Sequence, residues 1–414
     1  MEINIKDGYK VTEVGVIPDD WEVKKFREIC KVNQGLQIAI EKRIKYPTPN
    51  SKKYITIQYL NGSKDIEFIK DYSSSVCCSE EDILMTRTGN TGIVISGVSG
   101  IFHNNFFKVN FDRSLLDRKY LIEYLSSNKV QKIILTKAGI STIPDLNHND
   151  FYSISIPLPP LAEQKAIAHA LSDVDNLITA IDQLITKKRN LKQGTMQELL
   201  TGKKRLPGFS GKWVNINIFD TSILKARIGW QGLTTAEYLK NGDYFLITGT
   251  DFFDGRIKWE TCFYVDEKRY SQDKNIQLKR EDVLITKDGT IGKIAYIDIL
   301  PIPATLNSGV FVIRPKSDIY LPLYFYYVLY SSYFSNFLRK LQAGSTIAHL
   351  YQKDFIGFNF PVPKSLEEQK AIAEILTDID KEIEALEKKR DKYKTIKQGM
   401  MQELLTGKTR IIDN

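Results

Sequence analysis

Six short stretches carry the side chains best suited to chemistry. Residues 33–37 (NQGLQ), 86–92 (TRTGNTG) and 137–150 (KAGISTIPDLNHND) mix glycine with amide, hydroxyl and basic groups. Residues 227–232 (RIGWQG), 286–292 (TKDGTIG) and 342–354 (QAGSTIAHLYQKD) repeat that mixture later in the chain. Glycine lets a backbone come close to a partner. Lysine, arginine and hydroxyl groups bond phosphates, arginine pairs with guanine, and asparagine or glutamine pairs with adenine. The candidates for such contacts in the first set are Gln34, Gln37, Arg87, Asn90, Thr91, Lys137, Ser141 and Thr142. In the second set they are Trp230, Gln231, Lys287, Thr290, Ser345, Thr346 and His349. Any one of these loops alone reads as ordinary solvated surface. Their recurrence as matched threes, with altered side chains, is the stronger signal.

Motifs for catalysis are missing. The run DGTIGKI (288–294) contains GxxGK, but it is too short for a phosphate-binding loop, and Ile294 stands where a magnesium-binding hydroxyl is needed. No GxGxxG follows a strand and opens a helix, so no dinucleotide or methyl-donor site is visible. His103, His148, His169 and His349 lack metal-ligand spacing. Neither a Ser–His–Asp nor a Cys–His arrangement is suggested. The expectation is a binding or scaffold protein with no catalytic residues, cofactor or metal.

The loops must be positioned by something, and a duplication shows what. Residues 161–205 and 366–410 align without a gap at an offset of 205, with more than half of the positions identical. Each copy reads as one long helix. Pro159–Pro160 precedes the first, Ser365 and Glu368 fit a capping box at the second, and Gly202 and Gly407 sit at C-cap positions. Leu171, Val174, Ile178 and Ile181 form a three–four seam in the first copy, answered by Leu376, Ile379, Ile383 and Leu386 in the second. Such a heptad pattern predicts that each helix pairs with another helix. Arg390 and Lys397 interrupt the seam, and Gly194 and Gly399 fall inside it, where a bend or a close approach is expected. The segment MQELLTG is identical in both copies, although a seam needs only every third or fourth residue. That surplus marks Met196, Leu199, Leu200, Met401, Leu404 and Leu405 as candidates for docking two copies of one partner.

A block precedes each helix. The organisation read from the sequence is a first block over 1–158, a helix over 159–205, a second block over 206–363 and a helix over 364–414. Strand-like runs in the first block include 54–60, 82–89, 92–98 and 106–111, followed by one helical stretch at 117–138. The second block repeats the plan: Trp213 stands for Trp21, and EDVLITKDGTIG for EDILMTRTGNTG. The fold class is α+β, with two α/β domains and two long helices. With 58 basic and 50 acidic residues the net charge is +8, which permits nucleic-acid binding without requiring it. Cys30, Cys77, Cys78 and Cys262 have no CxxC spacing and read as reduced thiols. No apolar run reaches membrane-spanning length and no signal peptide opens the chain, so a cytoplasmic protein is expected.

Variable blocks alternating with near-identical helices that open LAEQKAIA and LEEQKAIA and close MQELLTGK, together with the loops AGISTIPDLNHNDF and AGSTIAHLYQKDF, resemble the specificity subunit of Type I restriction–modification enzymes. The resemblance covers essentially the whole chain. It implies two target-recognition domains, each reading half of a bipartite double-stranded DNA site. It also implies an antiparallel helix pair that holds the domains apart and docks two methyltransferase subunits, with restriction subunits joining the full complex. Two other readings stay open: a stand-alone DNA-modifying enzyme with an unrecognised site, and a coiled-coil adaptor without a DNA role.

Overall fold

The computed structural model describes residues 7–139, 144–229, 232–344, 349–355 and 357–411. They form an α+β fold of two compact units, Met1–Asp182 with Lys388–Asn414, and Gln183–Glu387. The long helices Leu161–Leu199 and Leu366–Leu404 each give one part to each unit.

In the first unit the strand Phe106–Phe111 lies antiparallel between Cys30–Gln34 and Ile83–Thr86. A second sheet pairs Gly100–Phe102 in parallel with Lys52–Ile55. Glu22–Lys25 and Ser155–Leu158 form a separate two-stranded ladder that leads into the first long helix. The expected strand 54–60 stops at Ile55, because the Thr56 hydroxyl accepts from Tyr59 N and caps the helical turn Ile57–Leu60. The helical stretch 117–138 is two helices, Arg118–Ser126 and Asn128–Ala138. Ser127 is extended between them, and its hydroxyl caps the second. Both helices pack on one sheet face, where Met85, Phe107, Tyr120, Leu121 and Ile134 are buried together.

The second unit repeats this plan. Val310–Pro315 lies between Ser222–Lys225 and Val283–Thr286, and Tyr244–Ile247 pairs in parallel with Ala304–Leu306. The helices Pro322–Tyr330 and Ser332–Gly344 again part at a serine, Ser331. The core here is more aromatic, with Tyr320, Tyr324, Phe325, Tyr327 and Phe360 buried.

The long helices pair, in a coiled-coil-like contact. Leu171, Ile181, Leu376 and Ile383 are buried, and Val174, Ile178, Ile379 and Leu386 are half-buried. The seam interruptions are ionic: Lys397 Nζ lies 2.6 Å from Asp175, and Arg390 3.5 Å from Asp182. In the second unit Lys192 pairs with Asp380 and Lys188 with Glu382, both at 2.5 Å. The two helices run unbroken through Gly194 and Gly399, and nothing lies within 4 Å of a Cβ built at either, so neither glycine serves a close approach. Gly202 and Gly407 do cap the helices, with φ of +67° and +70°.

Half of the expected capping box is present. Ser365 Oγ accepts from Glu368 N at 3.2 Å, but the Glu368 carboxylate turns to Arg205, at 2.6 and 2.7 Å, instead of back to the cap. In the MQELLTG segments, Met196, Leu199, Leu200, Leu404 and Leu405 are buried in the cores of their own units, while Met401 is half-buried. Gln197, Glu198, Gln402 and Glu403 are the residues these segments expose.

Candidate nucleic-acid interface

The register brings three loops of the first unit to one end of one sheet. Phe107 stands opposite Gln34, and Phe106 opposite Thr86. The chain therefore leaves the strands at Gln34 and Thr86 where it enters the strand at Phe106. The loop after Thr86 turns sharply, with Gly89 and Gly92 at φ of +83° and +94°. Thr86 Oγ1 bonds Asn90 O across that turn, and Thr91 Oγ1 donates to Arg87 O and Pro144 O at 3.0 and 2.8 Å. Arg87 lies over the Phe107 ring at 5.5 Å, and its Nη2 meets Asp145 Oδ2 at 2.7 Å. Thr88 Oγ1 takes the other oxygen of Asp145 at 2.6 Å. The loop preceding Phe106 is stitched to both neighbours: Arg87 N donates to Asn105 O at 2.7 Å, and Gln34 Nε2 to Asn104 O at 3.2 Å.

The second unit builds the same end with other side chains. Thr286 stands opposite Val310, and Thr286 Oγ1 closes the loop onto Thr290 O at 2.6 Å. Lys287 lies over Phe311 at 5.6 Å, as Arg87 lies over Phe107. Its backbone N donates to Gly309 O at 2.8 Å. The acidic partner has changed sides: Asp288, on the loop itself, meets His349 Nδ1 at 2.8 Å. Backbone bridges Thr88–Asp145 and Asp288–His349 hold the matching loops together.

Arg87, Thr91, Lys287, Thr290 and His349 therefore gather at these sheet ends, with Gln34 and Asn90. Gln37 is exposed three residues past Gln34, and Lys137 lies in the last turn of the helix Asn128–Ala138 instead of in a loop. Ser141, Thr142, Trp230, Gln231, Ser345 and Thr346 lie outside the described residues. The sequence reading missed the segments 103–105 and 307–309, HNN and NSG, which complete the two ends. The signal was there: a polar turn between two apolar strand runs. Among the described residues no group of three side chains could hold a metal ion, and no helix is long and apolar enough to cross a membrane.

Comparison with known proteins shows the family of the chain. The model of the Type I restriction modification DNA specificity domain matches residues 18–191 and again 230–395. The chain belongs to the Type I restriction–modification specificity subunits. This specificity subunit is a sequence-specific DNA-binding component that acts with methyltransferase and restriction subunits. It is 30% identical to the Type I restriction enzyme MjaVIII specificity subunit of Methanocaldococcus jannaschii, over 95% of this chain and 94% of that one. It is 25% identical to the EcoBI specificity subunit of Escherichia coli, over 60% of this chain and 56% of that one. Its fold is similar to the crystal structure of the Type-I restriction-modification S subunit from M. genitalium, at a TM-score of 0.59 and 17% identity, covering 97% and 98% of the two chains.

Proposed function

We propose that the blocks 1–158 and 206–363 each read one half of a bipartite double-stranded DNA target. The segments 159–205 and 364–414 form an antiparallel coiled coil that joins them. What supports the first statement is one observation. Both units build the same sheet end from the same three strands, and they put different side chains on it. A kept scaffold with a changed display suits two readers of two sequences. The antiparallel sense is supported inside each unit. In the first, partners fall from Lys397 to Arg390 as they rise from Asp175 to Asp182. In the second they fall from Glu382 to Asp380 as they rise from Lys188 to Lys192.

On this reading Gln34, Gln37, Arg87, Asn90, Thr91, Lys137, Ser141 and Thr142 serve one half-site. Trp230, Gln231, Lys287, Thr290, Ser345, Thr346 and His349 serve the other. The subunit is cytoplasmic and non-catalytic. It docks two methyltransferase subunits through the residues that its two MQELLTG segments expose, Gln197, Glu198, Gln402 and Glu403, and restriction subunits join them. The test is to exchange residues 206–363 for the equivalent block of a relative and to map the methylated sites made with the methyltransferase partner. One half-site should change. A change in both, or in neither, would overturn the reading.

A further inference from the structure

The segment 103–105 has the geometry of a mounted reader. His103 N donates to Ile55 O at 3.0 Å, which ties the turn to the second sheet. Asn105 N donates to His103 Nδ1 at 3.2 Å, so the imidazole closes the turn as a hydrogen-bond acceptor. Burial and the nearby Arg43 charge hold His103 below the usual imidazole range, which keeps Nδ1 free to accept. The second unit repeats the device: Asn307 N donates to Ile247 O at 2.9 Å, and Gly309 N to Asn307 Oδ1 at 3.0 Å. His103 therefore does for one turn what Asn307 does for the other.

At the middle of each turn sits a hydrogen-bonding side chain that takes no part in closing it. It is Asn104 in the first unit and Ser308 in the second, both half-buried. The Asn104 backbone is held from both sides, by Gln34 on its own carbonyl and by Arg87 on the next. Its side chain is not held. Asn104 Oδ1 is shut off from water and has no hydrogen-bond partner among the described residues. An unsatisfied buried acceptor is costly. A change of χ1 rotamer carries the whole amide, oxygen and nitrogen together, to the loop surface, where the oxygen meets any donor presented there.

We propose that Asn104 is a specificity-determining residue of the first unit, pairing its amide with the N6 and N7 edge of an adenine in the major groove, and that His103 is the positioning residue that mounts it. Asparagine is one of the two side chains, both primary amides, that match adenine on both atoms. Ser308 has a single hydroxyl and fits no such pair. The second turn therefore reads its half-site differently from the same mount. The inference rests on the proposal that the first block reads one half-site.

The experiment uses the full chain with its methyltransferase partner and maps methylated sites. Asn104→Ala and Asn104→Ser are both made, because Ser308 shows that serine fits this turn. Each should relax a single adenine position in one half-site by about ten- to a hundredfold, and leave the other half-site as it was. His103→Ala should relax the same position. His103→Asn, which supplies the residue used at 307, should restore it; failure to restore would remove the mounting role. If Asn104→Ala lowers methylation evenly without changing any base preference, Asn104 is not a reader. If the mapped site is unchanged while a block exchange still alters one half-site, the inference fails and the two-reader proposal survives. If Asn104→Ala relaxes both half-sites, both fail.

Discussion

Arg410 Nη2 meets Glu163 Oε2 at 2.6 Å, which ties the tail of the second long helix to the start of the first within one unit. Arg205 holds Glu368 in the same way in the other unit, at 2.6 and 2.7 Å. These pairs account for the acidic residue of the duplicated EQKAIA motif. The glutamine beside it serves the backbone. Gln164 bonds Asp117 N, Leu115 O and Pro159 O, and Gln369 bonds Leu321 N, Ile319 O and Pro363 O. Both motifs fix a long helix to the block in front of it.

Arg410→Ala should therefore destabilise the first unit. Glu163 is buried and also takes Trp21 Nε1 at 3.0 Å, so removing the guanidinium strands a carboxylate away from water. The cost should be about 3 kcal/mol, at the lower end for a broken buried pair because Arg410 keeps partial exposure. Denaturant unfolding of the full chain measures it. Adding Glu163→Gln should recover much of the loss; no recovery would mean that packing, not charge, is at stake.

A pH effect is expected at Glu123. Burial raises this carboxyl, more than the adjacent Lys397 ammonium lowers it, and the Asp175 charge pushes it further up. A raised carboxyl favours the protonated folded state. That contribution is complete below the ordinary glutamate value and is lost as pH rises through the raised one. Glu123→Gln should thus gain stability relative to the parent as pH climbs from 4 to 8. Melting temperatures of the two proteins across that range check this, and a constant difference would refute it. The matching Tyr327 bonds Asp380 Oδ2 at 2.9 Å through its hydroxyl, so the second unit needs no carboxyl there.

Gly35→Ala should damage the first sheet end. A Cβ at Gly35 would meet Phe102 O at 2.2 Å and His103 O at 2.3 Å, and backbone atoms cannot swing aside. A cost of about 1–3 kcal/mol follows from overpacking. Loss of one half-site in the methylation map, with the other kept, is the expected signature.

Arg87→Ala should weaken DNA binding, and should relax one position by about 1–3 kcal/mol if the guanidinium reaches a base. Arg87→Lys should keep the loop folded, because Lys287 already occupies the matching place over Phe311. Titrations at low and moderate salt separate the outcomes: a phosphate contact weakens all sequences alike and lowers the salt slope. Unchanged affinity at both would remove Arg87 from the interface and leave it as a brace for Asp145.

One heptad inserted after Asp182 and another after Glu387 would lengthen both long helices where the units divide. The seam is preserved, and the added length is about 10 Å. If the helix pair sets the spacing of the half-sites, the gap in the mapped site should grow by up to about three base pairs. Each half-site should keep its sequence. An active enzyme that still marks the original gap would show that the helices are not the ruler.

The duplication, the long helices and the family were legible in the sequence alone. Those signals are local and periodic: a repeated string, a three–four seam, glycine at a cap. The turns at Gly89, Gly92, Gly289 and Gly292 were legible for the same reason, since glycine flanked by polar residues announces a turn. What the sequence could not decide was partnership across long separations. The identity of MQELLTG read as a second surface, yet Leu199, Leu200, Leu404 and Leu405 are spent on their own cores. Glu368 read as a cap and is an arginine's partner. Residues 103–105 are only a polar turn in the sequence, and it is antiparallel register that sets them beside Gln34 and Arg87. A side chain's type limits what it can bond, but the choice among its possible partners is made by the packing that brings distant residues within 3 Å.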